Sequence, residues 1–217
     1  MSRPFLKMNG LGNDFVVVET RTAPFAPTAD EVRAIANRET GVGCDQLIVV
    51  EASQTADAHV RFWNADGEEV AACGNGTRCV GWLLMQASGK DEAVIETKAG
   101  RLVATRAGER LVSVDMGLPG LEWRETPLAS EHDTVSLGAV LYDHADLMAP
   151  PGCVSIGNPH VVFFVPDVES VPIARIGPVV EHHPLFPQQV NVGFAQIVAA
   201  DRIRLRVWER GAGLTRA

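Results

Sequence analysis

Cys73-Gly74-Asn75-Gly76 is the segment of this chain best equipped for chemistry. A cysteine directly before a helix sits at the positive end of the helix dipole, beside backbone N–H groups without an intrahelical acceptor. That setting lowers a thiol's pKa and makes thiolate available near neutral pH. The flanking glycines let the backbone close on a ligand, so the same N–H groups can hold a carboxylate. The alternative is a buried structural cysteine on a glycine-rich turn, and the segment alone leaves both readings open. Cys44, Cys79 and Cys153 lack the setting and read as core.

Two further segments are unusual. Gly157-Asn158-Pro159-His160 puts an amide and an imidazole side by side where an apolar strand begins; the ordinary reading is an Asn-Pro turn and a hydrogen-bonded histidine. Trp208-Glu209-Arg210-Gly211-Ala212-Gly213 pairs opposite charges at a strand end before a glycine-rich loop, and a plain surface ion pair would contribute little.

Composition narrows what these residues can serve. With 46% hydrophobic and 21% charged residues, the 217-residue chain has a globular profile, enough for one large domain or two small ones. The apolar runs Phe15–Val18, Leu47–Val50, Cys79–Met85 and Val161–Pro166 fall short of the roughly 18–20 residues of a membrane span. Met1–Asn9 carries no export signal, so a cytoplasmic setting with reduced thiols is expected. Sixteen of 19 cations are arginine without a basic stripe, which argues against nucleic acid. No Cys-x-x-Cys pair exists, and Cys73 and Cys79 are six apart with no histidine nearby, so no metal site is expected. Neither a dinucleotide fingerprint nor a phosphate loop is present, and Lys7, Lys90 and Lys98 lie outside any pyridoxal-type motif. No cofactor is expected.

The elements that must hold these residues follow from local pattern. Phe15–Thr20, Asp45–Glu51 and Ala58–Asn64 read as strands. Thr28 and Glu31 form a capping box before a helix over Val32–Arg38. Asn75–Ser88 reads as a buried helix, apolar nearly all round and stopped by Gly89. Ala93–Lys98, Arg101–Arg106 and Arg110–Met116 form a meander of short strands. Composition shifts near Gly117, where a domain boundary is expected, and Gly120–Pro151 is weakly patterned. Beyond it Val154–Ile156, Val161–Val165, Val190–Val198 and Ile203–Trp208 read as strands; Ile173–Glu181 is helical in pattern, although Pro178 argues for a break, and His182 and His183 read as solvated loop residues.

An internal repeat joins the two parts. Gly12-Asn13-x-x-Val16-Val17 returns as Gly157-Asn158-x-x-Val161-Val162, an offset of 145 residues. The same shift carries Gln46 onto Asn191 and Asn64 onto Glu209. Two similar halves across a pseudo-twofold cleft are the expectation.

Taken together the motifs resemble the diaminopimelate epimerase family. They are Asn9-Gly10-Leu11-Gly12-Asn13-Asp14-Phe15, Gly41-Val42-Gly43-Cys44-Asp45-Gln46, Asn64-Ala65-Asp66-Gly67, Cys73-Gly74-Asn75-Gly76-Thr77-Arg78-Cys79, Gly157-Asn158-Pro159-His160 and Glu209-Arg210-Gly211, in order along nearly the whole chain. The resemblance implies an α+β fold of two pseudo-symmetric halves, each a curled sheet around a central helix, divided as 1–117 and 118–217. It implies conversion of LL-2,6-diaminopimelate to the meso isomer, on the route to lysine and peptidoglycan, without pyridoxal phosphate or metal. Two cysteines on opposite faces of the α-carbon do this in the family, one as thiolate base and one as thiol acid. By resemblance Cys73 is one of them, and Gly74 and Asn75 supply N–H groups to the reacting carboxylate. Asn64, Asn158, Asn191 and Arg210 recognise the far amino-carboxylate, Asn13 and Gln46 line the cleft, and His160 with Glu209 tunes the thiol pair. The resemblance also admits a homodimer.

One departure stands out. Family members carry the second cysteine in a Cys-Gly-Thr-Gly-type motif soon after Glu-Arg-Gly-Ala-Gly, but Gly211–Ala217 runs to the last residue without it. The 145-residue shift sends Cys73 to position 218, the next one. Either the sequence is a fragment of a complete epimerase or the chain ends here; in both cases the second half is expected to be incomplete, and the 217 residues alone are expected not to epimerise. A proline racemase-like or phenazine-type isomerase of the same fold, and a non-catalytic remnant with a structural Cys73, are the competing readings.

Overall fold

The β-branched runs become strands covered on both faces. The structure, a computed structural model, describes residues 3–138 and 150–215, which fall into two compact units, Met1–Gly117 and Leu118–Ala217. The first unit runs β1 (Leu6–Gly10), β2 (Asn13–Glu19), α1 (Ala29–Ala36), β3 (Gln46–Glu51), β4 (Ala58–Asn64), β5 (Glu69–Val70), α2 (Gly74–Ser88), β6 (Glu92–Thr97), β7 (Gly100–Arg106) and β8 (Val112–Asp115). Its sheet has the order β1-β2-β3-β4-β6-β7-β8, with β5 on β4. Phe15, Val17, Ile48, Val50, Val60 and Phe62 pack with Val80, Leu84 and Met85 of α2. Val16, Val18, Leu47, Val49 and Trp63 pack with Val32 and Ala36 of α1. Strands buried on two faces carry continuous apolar runs. Because α2 touches β1 and β2 near one end of the sheet and β6, β7 and β8 at the other, the sheet curls around this helix.

Local signals set the helix ends. Thr28 Oγ1 accepts from Glu31 N at 3.2 Å while Thr28 N donates to Glu31 Oε2 at 2.8 Å, the expected capping box. Gly89 closes α2 in the left-handed region, its N–H donating to Met85 O at 3.0 Å.

The second unit contains β9 (Gly152–Ser155), β10 (Pro159–Phe164), α3 (Ile173–Glu181), β11 (Asn191–Ala199), β12 (Arg202–Glu209) and β13 (Gly213–Leu214), in the sheet order β13-β12-β11-β10-β9. Ile173, Ile176 and Val180 of α3 meet Val161, Phe163, Val192 and Phe194, with the two phenylalanine rings stacked 5.3 Å apart. Contrary to the expected break, α3 runs through Pro178. The bond that Pro178 cannot make would end on the carbonyl of Ala174, an exposed residue, and the apolar face holds the helix together. Three short elements escaped the sequence reading: the edge strand β1, β5 and β13. Of the weakly patterned segment, residues 139–149 lie outside the described residues, and Gly120 forms an isolated bridge with Ser155.

The repeat extends to strand register. β2 and β3 pair in parallel with Phe15 opposite Gln46, and β10 and β11 pair in parallel with His160 opposite Asn191, both shifted by 145. Leu47 opposite Trp63 likewise becomes Val192 opposite Trp208 in an antiparallel pair. Gly12 and Gly157 enter the repeated strands at the same φ of 97°, a conformation that favours glycine. By the same shift α1 falls on α3. The faces differ: opposite α3, Ile197, Ile203 and Leu205 are 58%, 56% and 47% exposed, and no helix covers them among the described residues.

Candidate active site

In the first unit the strand ends of β2, β3 and β4 and the start of α2 gather the polar candidates. Cys73 is the N-cap of α2, and its Sγ accepts from Gly76 N at 3.4 Å. Thr77 N and Thr77 Oγ1 both donate to Cys73 O at 2.8 Å, which fixes the backbone that carries the thiol. No acidic residue occupies the first turn of α2, so its positive end stays uncompensated there. The N–H groups of Gly74 and Asn75 have no acceptor within the helix and can receive an anion. A Cβ on Gly76 would come within 2.9 Å of Ile48 and Phe62, so this glycine seats the helix start directly on β3 and β4.

The amides form two pairs. Asn75 Nδ2 donates to Oδ1 of the buried Asn13 at 2.6 Å, and Arg78 in turn donates to Asn75 Oδ1. Gln46 Nε2 donates to Asn64 Oδ1 at 2.8 Å across their strand register, while Gln46 Oε1 is buried without a hydrogen-bond partner. A buried acceptor left unpaired is costly and is met by a ligand that donates, such as an ammonium.

Sequence reasoning missed the charges that hold these amides in place. Asp14 N donates to Asp45 Oδ2 at 2.9 Å and Asp45 N to Asp14 Oδ1 at 3.1 Å. Arg38 bridges the two carboxylates at 2.8 and 2.6 Å, and Lys7 lies 2.7 Å from Asp14. The Arg38 hydrogen bond holds the Asp14 carboxyl well below the usual carboxylate range. Asp14 adjoins Asn13 and Asp45 adjoins Gln46 in both named motifs, a proximity in sequence that could have suggested the network.

The second unit repeats the layout with different chemistry. His160 stands at the register position of Phe15 and Asn191 at that of Gln46, and the 145-residue shift sets Glu209 against Asn64. His160 Nε2 lies 3.0 Å from Asn158 Oδ1, which places the ring proton on that nitrogen. Burial, and then the charge of Arg210, push the imidazole down to about 4, so it is neutral at pH 7. Buried Asn191 donates to Pro159 O at 2.9 Å and accepts from Arg210 N at 3.0 Å. Glu209 accepts from Thr215 Oγ1 at 2.9 Å.

The other cysteines are core residues. Burial raises the thiol of Cys44, pushes Cys79 up to about 11 and Cys153 up to about 12. Cys73 is half-buried.

A family model described as diaminopimelate epimerase matches residues 5–121 and 152–217. The diaminopimelate epimerase of Phenylobacterium zucineum is 80% identical over 217 residues, covering 100% of this chain and 78% of that protein. That of Rhodospirillum centenum is 50% identical over 219 residues, covering 100% of this chain and 74% of its own length. The chain belongs to the diaminopimelate epimerase family. Solved structures are alike in fold: a probable proline racemase from Agrobacterium radiobacter, with bound carbonate, has a TM-score of 0.64 at 17% identity over 100% of this chain and 73% of that one. A phenazine biosynthesis protein of the PhzF family from Enterococcus faecalis has a TM-score of 0.63 at 14% identity, covering 100% of this chain and 78% of that one. This chain thus shares its fold with proteins outside the family, and sequence identity separates it from those.

Proposed function

We propose that this protein is a diaminopimelate epimerase, an isomerase that interconverts LL- and meso-2,6-diaminopimelate with Cys73 as one of its two acid/base groups. The observation that carries the reading is the placement of Cys73: among the described cysteines it alone caps a helix, with its sulfur 3.4 Å from an N–H donor, while the others are buried thiols. In this reading the Cys73 thiolate takes the α-proton from one face of the carbon. A second cysteine gives a proton to the opposite face, so one thiol is deprotonated as the other is protonated and the configuration inverts. The Gly74 and Asn75 N–H groups hold the reacting carboxylate, whose negative charge grows as the proton leaves.

The far end of the substrate is a second amino-carboxylate. Arg210 is assigned to its carboxylate, with Asn64, Asn158 and Asn191 as polar partners, and Asn13 and the unpaired Gln46 Oε1 line the site. His160 is neutral at pH 7 and acts with Glu209 on the thiol pair as hydrogen-bonding groups. A substrate lacking the second amino-carboxylate forgoes these polar contacts, which favours diaminopimelate over proline. A cytoplasmic setting and a homodimer belong to the same reading.

The test is Cys73→Ala in the intact enzyme, assayed for LL-to-meso conversion and for solvent deuterium at the α-carbon. Conversion is expected to vanish with folding retained, since losing one N-cap contact costs about 1 kcal/mol. A Cys73→Ala enzyme that converts at the unsubstituted rate overturns the assignment.

A further inference from the structure

Glu181 is a buried carboxylate that this mechanism leaves unused. It ends α3, is 4% exposed, and spends both oxygens on one feature: Oε2 accepts from Trp208 Nε1 at 2.6 Å and Oε1 from Gly211 N at 2.8 Å. Those donors flank Glu209 and Arg210 on the turn between β12 and β13. His182 Nδ1 is 3.9 Å from Oε2 and also lies 2.9 Å from Pro178 O. A carboxylate withdrawn from water is tolerated only where such bonds replace its hydration.

The surrounding packing serves the same contact. Gly177 lies one turn before Glu181 on the same face of α3, and a Cβ there would come within 2.4 Å of the Trp208 ring. The bare helix surface therefore lets the indole approach closely and present its N–H to Glu181. From the other side the turn is held by Asn191, which accepts from Arg210 N, and by Gln188 O, which accepts from Arg210 Nη1 at 2.9 Å.

The repeat separates packing from this task. The 145-residue shift places Ala36 at the position of Glu181 and Trp63 at that of Trp208, and both are buried in the first unit's core. Alanine thus suffices where the repeated helix only has to pack on its sheet. The carboxylate occurs in the unit whose following turn carries an arginine.

We infer that Glu181 is a positioning residue, which fixes the Trp208–Gly211 turn so that the Arg210 guanidinium is set for the substrate's far carboxylate before binding. Binding strengthens when the ordering of such a group is completed beforehand. The inference rests on the assignment of Arg210 above. In Glu181→Gln one acceptor remains, and the new amide N–H2 faces an N–H donor where an oxygen stood, so the turn loses one of its two anchors.

The experiment compares Glu181→Gln and Arg210→Ala with the unsubstituted enzyme for KM and kcat on LL-diaminopimelate, per active molecule. Glu181→Gln is expected to raise KM on the order of tenfold, about 1.4 kcal/mol, with kcat held within about threefold. Arg210→Ala is expected to raise KM further. If Arg210→Ala leaves KM unchanged, the binding assignment falls and the inference with it. If Arg210→Ala raises KM while Glu181→Gln alters only thermal stability, the inference alone is overturned. Should the glutamine variant fail to fold, Glu181→Asp keeps the charge and shortens its reach; a raised KM supports the positioning role, and an unchanged KM refutes it.

Discussion

Acid should weaken this protein first through His160. The imidazole is ordinary in the unfolded chain, near 6.5, and is pushed down to about 4 in the fold by burial and then by Arg210. Between those values the unfolded chain binds a proton that the folded one refuses, so folding stability falls as pH falls. It is fully present above 6.5 and lost progressively toward 4. At about 1.36 kcal/mol per unit, the whole shift is worth about 3 kcal/mol, a large part of a typical domain's net stability. Carboxylates act in a separate window: Asp14, Glu19 and Glu69 are all lowered from values of 3.8 to 4.5, so their contributions are lost only below that range. Urea titrations followed by tryptophan fluorescence at pH 7, 6, 5 and 4.5 isolate the histidine. His160→Gln lacks the titrating ring, and its stability should fall by clearly less than that of the unsubstituted protein over this range. Parallel curves for the two proteins from pH 7 to 4.5 would refute the argument.

Two other outcomes follow from the same structure. Alkylation of the folded protein at mildly acidic pH should modify Cys73 first, with Cys44, Cys79 and Cys153 reacting only as the chain unfolds, because burial raises all three. Peptide mapping reads the order, and labelling of Cys79 or Cys153 ahead of Cys73 would contradict it. Gly81→Ala should destabilise the first unit by about 1–3 kcal/mol, since the added Cβ would lie 2.5 Å from Ala104 Cβ with no flexible side chain to yield. A melting temperature equal to that of the unsubstituted protein would show that α2 sits less tightly in its sheet.

Signals that act over a few residues were legible in the sequence. The Thr28–Glu31 box and Gly89 mark helix ends because caps are made by neighbouring residues. The apolar runs of β2 and β3 announce themselves because both faces are covered, and the repeat is visible because the same strand entry, Gly-Asn-x-x-Val-Val, recurs. Cys73 stands out as a helix cap for the same reason, since that position depends only on its nearest neighbours. Tertiary structure decided the rest. Leu6–Gly10 becomes a strand through pairing with β2, and α3 survives Pro178 because its apolar face has a core to meet. Glu181 contacts Trp208 across 27 positions and Asp14 contacts Asp45 across 31, so local pattern fixes neither pairing. The unpaired oxygen of Gln46 exists only once β3 and β4 have set their register. Short-range chemistry is written in consecutive residues; which polar groups end up buried, paired or waiting for a ligand depends on contacts between residues that only the fold brings together.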